Sequence, residues 1–332
     1  MQPILSICIP TYNRANWLRS SLWNWLPQVN GTNGLVELIV CDNASSDRTK
    51  EIINEANNWG EFQYYCNSEN IGPVRNMYRL VSELAKGKFI WVVGDDDLPN
   101  INALQIIVDL IKKDYSSINY IYVNYSYWNP SKEQSEIELL NSKDLDFSQV
   151  LSSELGTKFV DRVADLVSVD INCFTPIYCS IMLKEDACKA FKIGILGETY
   201  SSIETTIPHA LYIAKELLNQ RALYIGYPCI LASYNISWMD ISIKYIVEYI
   251  PSLYKSLEKN GCEKSVLNSH RQTLTSRLPS FISVFKSHND TLVGKFDMMF
   301  KRYINYSTFT VLGIDINYVL AAINRRLNRT KF

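Results

Sequence analysis

Four short apolar runs, each closing on a compact polar motif and each separated from the next by a longer segment, constrain this chain more than any other feature. Ile4–Ile9 leads into Pro10-Thr11-Tyr12-Asn13-Arg14, and Val36–Cys41 leads into Asp42-Asn43-Ala44-Ser45-Ser46-Asp47. Phe62–Cys66 leads into Asn67-Ser68-Glu69-Asn70-Ile71-Gly72-Pro73-Val74-Arg75-Asn76, and Lys88–Val93 into Gly94-Asp95-Asp96-Asp97. Between these runs Trp17, Leu18, Leu22, Trp25 and Leu26 fall at helical spacing, as do Val74, Met77, Tyr78, Val81, Leu84 and Ala85. Short β-rich runs alternating with helical patterns are the signature of parallel strands joined by crossover helices, so an α/β chain built on a βαβαβαβ unit is expected. Ligands of such sheets gather at the carboxyl ends of the strands, where all four motifs fall.

Farther along, Leu104, Ile107, Val108 and Ile111 mark another helix, which leads to a strand at Asn119–Tyr125. A polar stretch from Asn129 to about Asp170 reads as a variable insertion, ending in helix-like DRVADLV. Strands are expected at Tyr178–Lys184 and Ala222–Tyr227, with a helix from Ile203 to Asn219 between them and a mainly helical chain beyond Asp240. A length of 332 residues exceeds the roughly 250–300 that one core serves, which suggests a main domain over 1–235 and a helical region over 236–332. Acceptor-side elements would begin near residue 126.

Charge narrows the partners. With 33 Lys and Arg against 34 Asp and Glu, the chain has no basic excess for coating a nucleic acid. The exception is Lys295–Phe332, where seven basic and two acidic residues suit a membrane-surface or oligomer contact. No apolar run approaches the ~20 residues of a membrane-spanning helix, and MQPILSICIPTYNR has no secretory leader pattern. A cytoplasmic protein is expected, working at the inner face of the membrane. The eight cysteines form no CxxC pair, and several sit in apolar runs such as SICIP and LIVCD, so neither a disulfide framework nor a zinc site is expected.

Individual residues can be weighed before any comparison. Pro10 would fix a turn, Tyr12 offers a ring, and Thr11 and Asn13 offer hydrogen bonds, against the plain alternative of a helix entrance capped by Asn13 or Asn16. Asp42, where a strand stops, can accept hydrogen bonds from a base, while Ser45, Ser46 and Asp47 suit helix capping. Gly72 and Pro73 make a tight turn after Asn70, placing the Arg75 cation near the same sheet edge, where it would balance a phosphate. The strongest signal is the run Asp95-Asp96-Asp97 directly after an apolar strand, because three adjacent carboxylates repel unless a cation or donors compensate. In extended chain Asp95 and Asp97 would share one side, and two hard oxygen donors there suit Mg²⁺ or Mn²⁺ carrying a diphosphate. The plain alternative is an acidic cap for a helix starting near Asn100.

Taken jointly, SICIPTYNR, VCDNASSD, NIGPVRN and VGDDD resemble the family 2 nucleotide-diphospho-sugar glycosyltransferases of the GT-A fold, over about residues 3–125. The resemblance implies a Rossmann-like, mostly parallel sheet flanked by helices that binds a nucleotide sugar. By position, Thr11, Tyr12 and Asp42 would hold the base and Asp95 the ribose, with Pro10, Arg14, Asn70, Gly72, Arg75 and Asp96 also among the donor-binding residues. Asp97, with Asp95, would hold Mg²⁺ or Mn²⁺. Members of this family usually carry a late Glu-Asp pair whose carboxylate acts as general base. The matching stretch here is GETYSSIETTIPHAL, with Glu204 the first choice for that role, Glu198 the second, and Thr205 standing where the Asp would be. A carboxylate, ionised at neutral pH, takes the acceptor hydroxyl's proton as the sugar is attacked.

The overall length and the GDDD form look similar to the abequosyltransferase-like subgroup, which adds a dideoxyhexose from a CDP donor to a lipid-linked O-antigen unit. The implied reaction is inverting transfer of one sugar from a nucleotide diphosphate donor to a hydroxyl of a lipid-linked saccharide. Departures are equally visible. No QxxRW motif of the processive synthases occurs; Asn235 in YNISW stands where a late metal-binding His would come; and His209 is a conceivable ligand that more often would be structural. Tyr234, Trp238 and Trp128 are candidates for an acceptor groove, or for core packing. Thr205 keeps a non-catalytic nucleotide-sugar-binding scaffold as the alternative. A dehydrogenase is disfavoured because no GxGxxG follows the first strand, and a nucleotidyltransferase because PTYNR has no glycine.

Overall fold

The computed structural model of the chain describes residues 2–114, 117–128, 139–233 and 244–273. The chain divides into two compact units, residues 1–237 and 238–332.

The first unit is organised by one sheet. Strand β1 (Leu5–Thr11) lies between β2 (Val36–Asp42) and β4 (Phe89–Val92), with β3 (Gln63–Cys66) outside β2, and all three pairings are parallel. Their carboxyl ends therefore open on one edge, as the βαβαβαβ reading expects. Helix α1 (Ala15–Asn30) buries Leu18, Leu22, Trp25, Leu26 and Val29, and Trp25 meets the β4 side chain Trp91 edge-on at 5.2 Å between ring centroids. Helix α2 (Thr49–Ala56) follows β2, and α3 (Pro73–Arg79) starts with Pro73 in its first turn before continuing as a π-helical turn over Leu80–Leu84.

Beyond β4 the sheet changes character. The two-residue strand β5 (Leu98–Pro99) precedes α4 (Ala103–Asp114), and β6 (Tyr120–Trp128), β7 (Thr157–Val160), β8 (Ser180–Leu183) and β9 (Ala222–Ser233) complete the sheet. The strand order is β3-β2-β1-β4-β8-β6-β9-β5, with β7 also on β9. Strand β8 runs antiparallel to both β4 and β6, β6 and β9 are parallel, and β5 and β7 are antiparallel to β9. The parallel half expected from sequence thus joins a mixed half through β8.

Several boundaries differ from expectation for local reasons. Pro10 lies inside β1 rather than in a turn: β4 pairing stops at Cys8↔Val92, so the missing N–H falls where no ladder partner is needed. DRVADLV forms a 3₁₀ turn over Val163–Ser168, and Ile177–Cys179 forms another before β8, so that strand starts at Ser180. The helix expected from Ile203 starts at Pro208 (α6, Pro208–Tyr212, continuing as a π turn to Leu217), because Ile207 has a non-helical backbone and proline favours the first helical position. Helix α5 (Lys184–Gly194) precedes it.

In the second unit, a π turn at Tyr245–Tyr249 continues as α7 (Ile250–Lys259), and residues 264–273 are helical too. Leu253, Tyr254, Leu257 and Leu267 are buried. No helix among the described residues is long and apolar enough to cross a membrane. Tyr234, Asn235, Trp238 and Lys295–Phe332 lie outside the described residues.

Candidate active site

The loops that leave β1, β2 and β3 are bound into one surface. Asn13 adopts a left-handed backbone (φ 54°); its N–H donates to Ser45 Oγ at 2.8 Å, and its side-chain oxygen accepts from the Ser46 N–H at 2.8 Å. Asp47 accepts from the N–H of Ala15 (3.0 Å), at the start of α1, and of Thr49 (3.0 Å), at the start of α2, so it caps two helices from one place. The Asn43 carboxamide accepts from Asn67 and the Ile71 N–H and donates to Asn70 Oδ1, which also accepts from the Gly72 N–H. Asn67 donates onward to Asn76, which donates to the Cys41 carbonyl. Sequence reasoning missed this asparagine network, and Asn70 is a strut within it. Recurrent Asn at each strand end (43, 67, 70, 76) was the available signal.

Asp42 is buried, and its carboxylate accepts from the Ser45 N–H at 2.9 Å and the Tyr64 hydroxyl at 2.8 Å. Tyr12, next to the Thr11 that pairs with Asp42 across the β1–β2 ladder, is 43% exposed. Arg75, in the first turn of α3, is exposed and has no partner among the described residues, so its charge is available to a ligand. Gly72 holds φ +86°, a conformation favourable only for glycine, and a Cβ there would lie 2.9 Å from Thr199 Oγ1. That contact brings the loop bearing Glu198 against the NIGP motif. Glu198 is exposed, whereas Glu204 is half-buried in a turn that precedes α6, not at its entrance. Thr205 is buried, and its hydroxyl accepts from the Ser202 N–H at 3.0 Å, holding that turn closed.

The acidic run closes as a turn, with the Asp97 N–H donating to the Gly94 carbonyl at 3.3 Å. The alternation expected of extended chain therefore fails, and Asp95 pairs with Asp96 rather than with Asp97. Arg14 accounts for this: its Nε lies 2.9 Å from Asp95 and its Nη2 2.6 Å from Asp96. Thr11 Oγ1 donates to Asp95 at 2.7 Å, so the SICIPTYNR and GDDD motifs meet directly. Asp97 instead accepts from the Gly94 N–H at 2.6 Å. A Cβ on Gly94 would come within 2.8 Å of Asp96 Oδ1 and 2.9 Å of Asp97 Oδ2, so the carboxylates fold over a position that only glycine leaves free.

Three carboxylates thus face one guanidinium. Burial pushes the Asp95 carboxyl up to about 7, against the Arg14 charge that lowers it, and also raises Asp96. Asp97 stands well above the ordinary carboxylate range, first through burial and then through the Asp96 charge. Among the described residues no group of three Asp, Glu, His or Cys side chains is placed to hold a metal ion, while Asp97 keeps one carboxylate oxygen without a partner there, the atom a divalent cation would use. Asp95 is already held by Thr11 and Arg14.

Aromatic side chains wall the other side. Arg14 lies over the Trp17 ring at 5.8 Å, and Trp17 meets Trp128 edge-on at 6.3 Å, within a cluster around Leu98, Leu140 and Leu231. Trp128 therefore packs beneath the site. His209 is not a ligand. It is buried, stacked on Phe191, with Nε2 3.0 Å from the Thr175 carbonyl, and burial lowers it to about 4.

The glycosyl transferase family 2 model matches residues 6–172. Abequosyltransferase RfbV of Salmonella typhimurium is 40% identical over 106 residues, covering 31% of this chain and 31% of that one. Minor teichoic acid biosynthesis protein GgaA of Bacillus subtilis is 35% identical over 114 residues, covering 32% of this chain and 24% of that one. The matched stretch thus spans a third or less of these relatives' length. Among solved structures, residues 1–349 of TarS from S. aureus in complex with UDP-GlcNAc superpose with a TM-score of 0.52 at 16% identity, over 83% of this chain and 72% of that one. That likeness shows a shared GT-A fold.

Proposed function

This chain belongs to glycosyl transferase family 2, and from that premise we propose that it moves one sugar, with inversion, from a nucleotide diphosphate donor to a hydroxyl of a lipid-linked saccharide in bacterial surface-polysaccharide assembly. The observation that carries the reading is the buried Gly94–Asp97 turn, charge-deficient in cations, set beside the strand ends of β1 and β2. The named relatives, an abequosyltransferase and a teichoic acid biosynthesis protein, support the polymer class. The abequosyltransferase name makes abequose the first sugar to try, with the CDP donor that the sequence resemblance implies.

In this mechanism Tyr12 stacks on the base while Thr11 and Asp42 frame it. Asp95 receives the ribose, and Arg75 faces the diphosphate. Asp97, with Asp95, would hold Mg²⁺ or Mn²⁺, which when bound neutralises charge on the departing diphosphate. Glu204, or Glu198 on the same loop, removes the acceptor hydroxyl's proton as that oxygen attacks the sugar carbon. The cytoplasmic face of the membrane is the corresponding place of work, with the basic stretch Lys295–Phe332 on the anionic surface.

The direct test is thermal stabilisation by UDP, GDP, CDP, dTDP and ADP, each with and without Mn²⁺ or Mg²⁺. A cation-dependent shift with one nucleotide is expected, and no shift with any would remove the reading. Thr205, buried where a carboxylate is usual in this family, favours a second reading, a binding scaffold without catalysis. Such a protein would bind the nucleotide sugar and release no free nucleoside diphosphate.

A further inference from the structure

Strand β8 begins two residues after Tyr178, and its antiparallel partner β4 runs on into the acidic turn. Tyr178 itself lies in the 3₁₀ turn Ile177–Cys179 that leads into this ladder, where Trp91 pairs with Ile181. Ladder pairing of Tyr122 with Ser180 sets β6 on its other side. The Trp91 indole N–H donates to the Tyr178 carbonyl at 2.8 Å and anchors this crossing. The Tyr178 ring packs edge-on against Tyr125 at 4.9 Å, and its hydroxyl is raised well above the ordinary phenol range first by burial and then by its neighbours Tyr127 and Asp97. No group among the described residues hydrogen-bonds that hydroxyl.

Asn172 completes the arrangement. Its amide nitrogen donates to the Tyr125 hydroxyl at 2.7 Å and the Tyr127 hydroxyl at 2.8 Å, two side chains on the same face of β6. Both amide hydrogens are thereby used, which turns Oδ1 away from the tyrosines with no partner among the described residues. Behind it, buried Asp170 accepts from the N–H groups of Asn172 (2.9 Å) and Phe174 (2.7 Å). That turn holds Cys173 (φ 51°) and Phe174 (φ 65°) in the left-handed region, an uncommon conformation for a residue as bulky as Phe. The fold therefore accepts backbone strain and a fixed network to gather two polar atoms without partners among the described residues, one donor-acceptor and one acceptor, around Tyr125.

We propose that Tyr178 Oη and Asn172 Oδ1 form a saccharide-hydroxyl subsite beside the Gly94–Asp97 turn, reading hydroxyls of a sugar ring. The proposal rests on the sugar-transfer reading above and deepens it. Two sources share this chemistry, the sugar of the donor and the terminal residue of the acceptor. A phenol and an amide oxygen on rigid supports discriminate hydroxyl positions, because an analogue lacking the hydroxyl leaves them unpaired.

The test uses the full chain with Tyr178→Phe and Asn172→Ala. Tyr178→Phe deletes one oxygen that no described residue bonds, so its Tm stays within about 2 °C of the parent and keeps the test independent of folding. The nucleoside diphosphate selected from UDP, GDP, CDP, dTDP and ADP with Mn²⁺ is titrated alone and as its sugar conjugates, with saturation-transfer NMR on the sugar protons. Transfer is then followed to lipid-linked saccharides extracted from bacterial membranes. Nucleoside diphosphate affinity stays within twofold in both variants. A roughly tenfold loss of affinity confined to the sugar conjugates, with loss of sugar-proton saturation, assigns the subsite to the donor sugar. Unchanged donor binding with a roughly tenfold higher acceptor KM and little change in kcat assigns it to the acceptor. Equal weakening of the nucleoside diphosphate itself, or no change in either saccharide, overturns the proposal. If the parent binds no nucleotide in the panel, the sugar-transfer reading fails first.

Discussion

The two halves of the sheet present their polar groups in opposite ways. In the parallel half, β1 to β4, each group proposed for the donor sits at the end of its own strand or within a few residues after it, as Thr11, Asp42 and Asp95 do. In the mixed half the polar groups come from turns between strands and are assembled across sequence gaps of about fifty residues, as Asn172 is with Tyr125. The first arrangement is local and built from short motifs. The second depends on register, so its residues have no fixed spacing. If the parallel half binds the donor and the mixed half handles the acceptor, the two functions should separate experimentally, since they rest on different structural devices.

The largest expected effect lies in the second half. If Glu204 takes the acceptor proton, Glu204→Gln lowers kcat by about 100- to 10,000-fold while nucleotide affinity is unchanged. Glu198→Gln in parallel should cost less than about tenfold. Steady-state transfer kinetics with both variants decide between them, and a reversal of the order would assign Glu198. If neither lowers kcat, the loop has no chemical role and the scaffold reading gains.

Next comes the first half. Asp97→Asn removes the carboxylate whose one hydrogen-bond partner among the described residues is the Gly94 N–H, and kcat should fall by about 100- to 1,000-fold. In contrast to Glu204→Gln, it should also abolish the cation-dependent part of nucleotide stabilisation in a thermal-shift titration. A variant that kept that shift would move the metal elsewhere.

That contrast also explains what could be read from sequence. The strands β1 to β4 and their motifs were visible because a parallel strand places its carboxyl end at a defined edge, so Asp42 and Asp95 could be assigned to that edge without any tertiary information. The cation above the acidic run was less visible: Arg14 appeared in a motif 81 residues away, and only the turn at Gly94 lets it reach both Asp95 and Asp96. Alternation failed there because it assumes extended chain. Helical periodicity likewise drew the α6 helix back over Glu204, whereas Ser202 and Thr205 bond each other and close a turn ahead of Pro208. Tyr178 and Asn172 had no local pattern at all. They come together around Tyr125 of β6, about fifty residues from either in sequence.

A smaller and purely structural contrast concerns His209, which lies behind the mixed half. Its folded pKa of about 4 lies below the ordinary 6.5, so the unfolded chain binds the proton more readily. The stability associated with keeping it neutral is fully present above pH 6.5 and is lost as pH falls towards 4. By linkage the size is up to about 3 kcal/mol. His209→Gln can still donate to the Thr175 carbonyl but does not titrate, so its urea-unfolding free energy should fall less steeply than the parent's between pH 6.5 and 4. Parallel slopes would mean that His209 becomes protonated without opening the packing against Phe191.

The smallest effect tests whether the two halves communicate. Gly72 belongs to a motif of the parallel half, yet its Cβ position faces Thr199, on the loop between Glu198 and Glu204. Gly72→Ala places a side chain at φ +86° and only 2.9 Å from Thr199 Oγ1, which costs about 1–2 kcal/mol through backbone strain and displacement of that hydroxyl. Thermal unfolding should register this as a fall of several degrees, about 2–4 °C per kcal/mol in a domain of this size. The informative quantity is the split between binding and turnover. If Gly72 positions the Glu198–Glu204 loop against the donor site, kcat falls more than nucleotide affinity, because the base moves while Asp42, Arg14 and the acidic turn keep their own bonds. If affinity falls alone, Gly72 matters only to the turn into α3.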